Sequence, residues 1–246
     1  MRTLNVLKGT FEASPATRAA LAAHGVTTGL SMATWPAELV ASMRDVPGLT
    51  DIRSAGLPAI GPGGLHARMP GLAEHAVVRD PAHARRFVAD RVAEGIDYLK
   101  IMLEAPGDGG LPAEVAAALV AAARVHGLRV VAHAGSPGAY TLALDVGADV
   151  ITHLPLGAPV ADGDVTRIVA DGRVVIPMLD MMRGLAGPLG LPPGAYDVSA
   201  HGSACCTPRG CRSWPAPTPT PRPVSRTSRR SVRACTTSWR CWSTRA

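Results

Sequence analysis

A chain of 246 residues with 47% hydrophobic side chains can build the core of one large α/β domain or two small ones. No apolar run reaches the ~18 to 20 residues of a membrane span, and no basic-then-apolar leader opens the chain, so a cytoplasmic protein with no membrane partner is expected. The net charge of +6 is misplaced rather than large: His201 to Ala246 holds nine Arg and no Asp, Glu or Lys, which leaves residues 1–200 at −3, an ordinary enzyme-like balance.

Ser14-Pro15 followed by Ala16 to His24 predicts an N-cap, a first-turn proline and an alanine-rich helix ended by Gly25. Val26 to Leu30 then reads as a short β-branched strand, Pro36 to Arg44 as a helix, and Ile52 to Ile60 as a strand region interrupted by Pro58. The Gly61-Pro62-Gly63-Gly64 turn that follows lacks the Lys-Ser/Thr of a P-loop and any GxGxxG spacing, so a tight strand-end loop is the better reading than an anion cradle. Asp80-Pro81 opens an amphipathic helix through Val92, with Ala84, Phe87, Val88 and Val92 on one face. Pro112 to His126, Tyr140 to Asp145 and Thr166 to Ala170 read as further helices, and Val174 to Pro177 as a strand. Helix, glycine, strand and loop thus recur, which predicts a parallel α/β fold. A barrel is favoured over an open sheet because no dinucleotide fingerprint follows any strand.

The chemistry concentrates between Tyr98 and His153. Tyr98 to Met102, Val130 to Ala134 and Val150 to His153 are three short apolar runs, separated by helices of crossover length, and each carries one basic or ligating side chain at its end. Lys100 reads either as a lysine snorkelling at a strand terminus or as a buried amine that has taken up CO2 to become a carbamate, an anionic oxygen ligand. A lone histidine such as His133 or His153 is more often a hydrogen-bonded core residue than a ligand. Recurrence on successive strands favours the metal reading, since imidazole is a standard zinc ligand. His66, just after the glycine turn, is a candidate substrate contact; His24, His75, His83 and His126 are expected to be solvated.

On Gly25-Val26-Thr27-Thr28, Tyr98 to Met102, Val130 to Ala134 and Ile151-Thr152-His153, the chain resembles the metal-dependent amidohydrolase superfamily, in its imidazolonepropionase-like and prolidase-like branch, over roughly Pro15 to Gly187. The resemblance implies a (β/α)8 TIM barrel that hydrolyses C–N bonds of non-peptide or dipeptide-like amides with metal-activated water, using zinc or another divalent ion, one or two per site. It would make Lys100 the bridging carbamate and His133 and His153 ligands of the second ion. The family pattern also has a His-x-His pair before the Gly-Val-Thr-Thr strand and an aspartate on the last strand. Met1 to Val26 contains no such pair, and the tail from His201 contains no aspartate. A partial barrel over 1–200, incomplete at both ends and weakly active or inactive, is therefore expected, with oligomerisation left open.

All five cysteines, Cys205, Cys206, Cys211, Cys235 and Cys241, fall in the Arg- and Pro-rich tail, 201–246. They lack the paired spacing of a metal knuckle. A noncatalytic binding protein whose basic, disordered tail contacts nucleic acid is the alternative reading. Translation out of frame explains the tail better than nucleic-acid binding does. If one base is missing near Ala200 to Gly202, GC-rich codons for Cys205 to Pro223 read back as a helix end, a buried strand and a Gly-Thr-Asp terminus. Those for Cys235 to Arg245 read back as a leucine-rich amphipathic helix. The DNA across this junction decides it.

Overall fold

The computed structural model describes residues 3–4, 14–69 and 72–206. Strands β1 (Thr3–Leu4), β2 (Thr28–Ser31) and β3 (Asp51–Ser54) form one sheet in that order, and β4 (Leu99–Leu103), β5 (Val130–Ala134), β6 (Val150–Thr152) and β7 (Val174–Ile176) form a second. Every pairing is parallel. The segment after β3 runs beside β4: Ala59 donates to the Lys100 carbonyl at 2.9 Å and accepts from the Met102 amide at 2.9 Å. The fold is therefore α/β with sequential parallel strands, and no closed barrel forms among the described residues.

Parallel neighbours need crossovers, and the helices supply them. They are α1 (Pro15–Ala23), α2 (Ala37–Ser42), α3 (Ala73–Ala76), α4 (Pro81–Ala93), α5 (Ala113–Val125), α6 (Pro137–Asp145), α7 (Asp162–Ala170), α8 (Leu179–Ala186) and α9 (Ala195–Cys206). Ser14 caps α1 by accepting from the Thr17 amide at 3.2 Å, and Asp80 caps α4 by accepting from the His83 amide at 2.7 Å. The turns into β4 and β5 pass through Gly95 and Gly127 at φ of 76° and 69°, where a side chain would be strained.

Two helices begin earlier than the sequence periodicity suggests. Ser136 caps α6 with Pro137 in its first turn, so the helix starts three residues before Tyr140. Asp162 and Asp164 occupy the first turn of α7, where acidic side chains suit the helix dipole, ahead of the expected Thr166. α9 crosses the body–tail boundary read at residue 200; residues 207–246, including most of the tail, lie outside the described residues.

The two-residue period of a strand sorts the side chains into two layers. Leu99, Ile101, Leu103, Val130, Ala132, Ala134 and Ile151 join Phe87, Val88, Leu119, Val120 and Tyr140 in the main core. The opposite face carries a second cluster, in which Leu30, Tyr98, Val131 and Val150 pack with Leu21, Val26, Met32 and Ala55. Lys100, His133 and Thr152 follow on that same face, two residues along their strands. The second cluster is thus an apolar floor, and the polar residues stand directly above it.

Candidate active site

Lys100 was read from the sequence as a strand-end residue, and the structure corrects this. β4 starts at Leu99 and runs to Leu103, so Lys100 is its second residue, and the run Ile101-Met102-Leu103 is buried and continues the strand. The register gives the consequence. Lys100 pairs with Val131, whereas Met102 pairs with His133 and His133 with Thr152. The lysine backbone is therefore two residues, ~6.6 Å, below the level of His133 and Thr152. A lysine arm spans that rise, and its Nζ donates to Thr152 Oγ1 at 2.7 Å, while Thr152 Oγ1 donates to the Ala132 carbonyl at 3.1 Å.

Lys100 is fully buried. Desolvation lowers its amine from 10.5 to about 7, so a large fraction is neutral at physiological pH. Only Lys8 and Lys100 are lysines among the chain's 25 basic residues. An arginine at position 100 could not shed its proton and would carry its charge into this dry site.

The three histidines of interest meet at one place. The His133 and His153 rings stand edge-to-face with centroids 4.4 Å apart, and His66 stands edge-to-face on His133 at 4.7 Å. Burial is the main cause that lowers both His133 and His153 well below the ordinary imidazole value; the neighbouring His66 and Lys100 add to it for both, and His153 adds further for His133. Both rings are neutral at pH 7, each with one N–H and one lone pair. His153 sits just past β6 at φ 76°, a left-handed backbone that costs a non-glycine residue of order 1 kcal/mol. Its amide donates to the Ile176 carbonyl at 2.8 Å and its carbonyl accepts from the Tyr140 hydroxyl, contacts that hold the turn. His24, His75 and His126 are exposed and His83 half-buried, away from this cluster.

Glu104, which the sequence reading passed over, belongs to the same cluster. Its Oε1 lies 2.9 Å from His66 Nδ1. It directly follows β4 and shares the inner-face parity of Lys100, and that spacing was the available signal. The glycine turn is a tight loop, as expected: the Gly63 amide donates to the Gly109 carbonyl at 2.8 Å, closing it against the loop after β4. A Cβ on Gly64 would lie 2.6 Å from Glu104 Oε1, and one on Gly110 would collide with Oε2.

The donor chemistry suits a borderline divalent ion. His133 Nδ1 and Glu104 Oε2 are buried acceptor positions with no hydrogen-bond partner among the described residues. The geometry is not a preformed cage, because among the described residues no three His, Cys, Asp or Glu side chains converge as a cation site. One reason is visible: one Glu104 oxygen is engaged by His66. No helix among the described residues is long and apolar enough to cross a membrane.

No protein-family model matches the chain, and no curated protein does. Solved structures do. A Xaa-Pro dipeptidase with methionine bound in its active site matches with a TM-score of 0.65 at 21% identity, over 80% of this chain and 56% of that one. An amidohydrolase matches with a TM-score of 0.60 at 23% identity, over 78% and 54%. A molinate hydrolase matches with a TM-score of 0.58 at 18% identity, over 81% and 51%. The chain spans about half the length of the structures it matches. Their likeness is one of fold: this chain has the fold of the Xaa-Pro dipeptidase, amidohydrolase and molinate hydrolase structures.

Proposed function

We propose that the chain is a metal-dependent hydrolase of the amidohydrolase type, that its two sheets are an arc of a (β/α)8 barrel, and that it acts on C–N bonds of small non-peptide or dipeptide-like amides. The observation that carries this is Lys100: a fully buried amine near pKa 7, 2.7 Å from Thr152 and beside a cluster of imidazoles. At pH 7 about half of such an amine is neutral, against about 0.03% of an ordinary lysine. The neutral amine forms an N–C bond with CO2 and releases a proton, which turns the Lys100 side chain into an anionic oxygen donor.

His133, His153 and the Lys100 carbamate would hold zinc or a similar divalent ion. When bound, the ion would polarise the scissile carbonyl and make a water molecule acidic enough to attack at neutral pH. The chain's own residues prepare the site. Desolvation keeps His133 and His153 neutral, the protonation state in which an imidazole can coordinate an ion. Thr152 orients Nζ, and the apolar floor of Leu30, Tyr98, Val131 and Val150 excludes water from below. His66, edge-to-face on His133, is the substrate contact of this reading. With one donor cluster assembled among the described residues, slow turnover through a single ion is expected.

The test has two readouts. Cobalt(II) titration of the chain should give ligand-field absorption that saturates near one equivalent and is lost in His133→Ala. Labelled bicarbonate should give a carbamate carbon resonance that is absent in Lys100→Met. Neither signal, together with no hydrolysis of dipeptides or acyl anilides in the presence of zinc, manganese or cobalt, would refute the proposal.

A further inference from the structure

We propose that Glu104 is the positioning residue for His66: its carboxylate fixes the proton of His66 on Nδ1 and so turns Nε2 into a hydrogen-bond acceptor that selects substrates carrying an N–H. This rests on the reading of His66 as a substrate contact and says which group it contacts. A carboxylate can only accept hydrogen bonds, so the 2.9 Å contact with Glu104 Oε1 requires an N–H at His66 Nδ1. With the proton on Nδ1, Nε2 is the ring nitrogen that can present a lone pair. His66 is 7% exposed and is held on another side by His133 at 4.7 Å, so it has little freedom to turn over.

The surroundings are built for that carboxylate. Gly64 approaches Oε1 so closely that a Cβ there would lie 2.6 Å away, and a Cβ on Gly110 would meet Oε2 and lie 2.9 Å from the Glu104 Cβ. The two glycine loops are tied by the 2.8 Å bond from the Gly63 amide to the Gly109 carbonyl. Burying a carboxylate with one oxygen left without a hydrogen bond costs free energy that loop closure alone does not require, since a neutral side chain would close the same loops without it. That cost is explained if the carboxylate's task is to set the histidine. An acceptor at Nε2 pairs with the N–H of a secondary amide or an amine, whereas a bare carbonyl oxygen would need a donor. The substrate class this favours is a small secondary amide over its N-alkylated counterpart.

Long-range nitrogen–proton NMR of the full chain labelled on histidine, at pH 8, reads the tautomer directly, with His66 assigned from its absence in His66→Gln. The wild-type ring should carry its proton on Nδ1. Glu104→Ala should move it to Nε2, while Glu104→Gln, whose amide oxygen can still accept, should keep it on Nδ1. A wild-type proton on Nε2, or no change in Glu104→Ala, overturns the proposal. If Glu104→Ala does not fold, the wild-type spectrum and Glu104→Gln decide. On a secondary anilide, Glu104→Ala should lower kcat/KM by about 10- to 100-fold and Glu104→Gln by no more than about threefold, the range expected for losing a charged hydrogen bond. Equal rates in wild type and Glu104→Ala would also overturn it. Absence of turnover in every protein, with the Nδ1 proton present, would sink the hydrolase reading and leave the role of Glu104 standing.

Discussion

Replacing Lys100 with Met should make the protein more stable at pH 6 and remove a large part of its pH dependence. The methionine keeps the length of the arm and discards the amine. In the folded chain desolvation holds that amine at about 7, against 10.5 for an ordinary lysine. Between those values the unfolded chain binds the proton and the folded chain does not. Unfolding therefore takes up a proton, and stability is fullest above pH 10.5 and falls as pH drops toward 7. At 1.36 kcal/mol per tenfold ratio, the whole cost is ~5 kcal/mol, of which about half appears between pH 6 and pH 9. Losing the Lys100–Thr152 hydrogen bond subtracts ~1 to 2 kcal/mol from the gain. The net expectation at pH 6 is a variant more stable by ~3 kcal/mol, with most of that advantage gone at pH 9. Urea unfolding of both proteins in CO2-free buffer at pH 6, 7.5 and 9 measures this. Parallel stability curves for the two proteins would show that the amine is not desolvated, and the reasoning about its chemistry would fall with it.

Thr152→Val keeps the β-branched shape but removes the hydroxyl that joins Lys100 Nζ to the Ala132 carbonyl; it should cost ~1 to 3 kcal/mol in urea unfolding at pH 8. Gly110→Ala drives a Cβ against the Glu104 side chain and should cost ~1 to 3 kcal/mol, whereas Gly163→Ala in α7, with open space around its Cβ, should stabilise by up to ~1 kcal/mol. Similar effects of the two substitutions would mean that the wall around Glu104 is not tight. His153→Ala should reduce bound zinc, measured by elemental analysis after gel filtration, by at least tenfold; full retention would remove His153 from the ligand set.

Lys100 and His133 were legible as basic groups at the ends of apolar runs, and the two-residue repeat of a strand puts both on the inner face; His153 was legible in the same way but lies just past β6, whose inner-face residue is Thr152. The same rule did not give the height of Lys100. Only the pairing register shows that it lies two residues below His133 and reaches up. Glu104 was hidden because it follows the strand, and its partner His66 lies 38 residues away across two glycine loops. The glycines at 64 and 110 look in sequence like ordinary turn residues. What requires them is the absence of room beside a carboxylate. Thr152 was masked by its β-branched neighbours, and α8 by its start at Met178, a left-handed residue that no glycine announces. The tail reading, with its out-of-frame Gly-Thr-Asp, lies almost wholly beyond the described residues.

The charge balance of the cluster ties these pieces together. Three imidazoles, one amine and one carboxylate share a site from which water is excluded, and desolvation takes the proton from the amine and from two of the rings rather than adding charge. The result is a concentration of lone pairs beside one carboxylate, that of Glu104. One carboxylate cannot neutralise the two positive charges of a divalent ion. Conversion of Lys100 to a carbamate supplies the second negative charge. On the proposed reading, CO2 uptake and divalent-ion binding are therefore coupled steps, each making the other favourable. Zinc affinity measured with and without bicarbonate should differ in the wild-type chain and not in Lys100→Met; equal affinities in the wild type would uncouple the two and leave the lysine a structural residue.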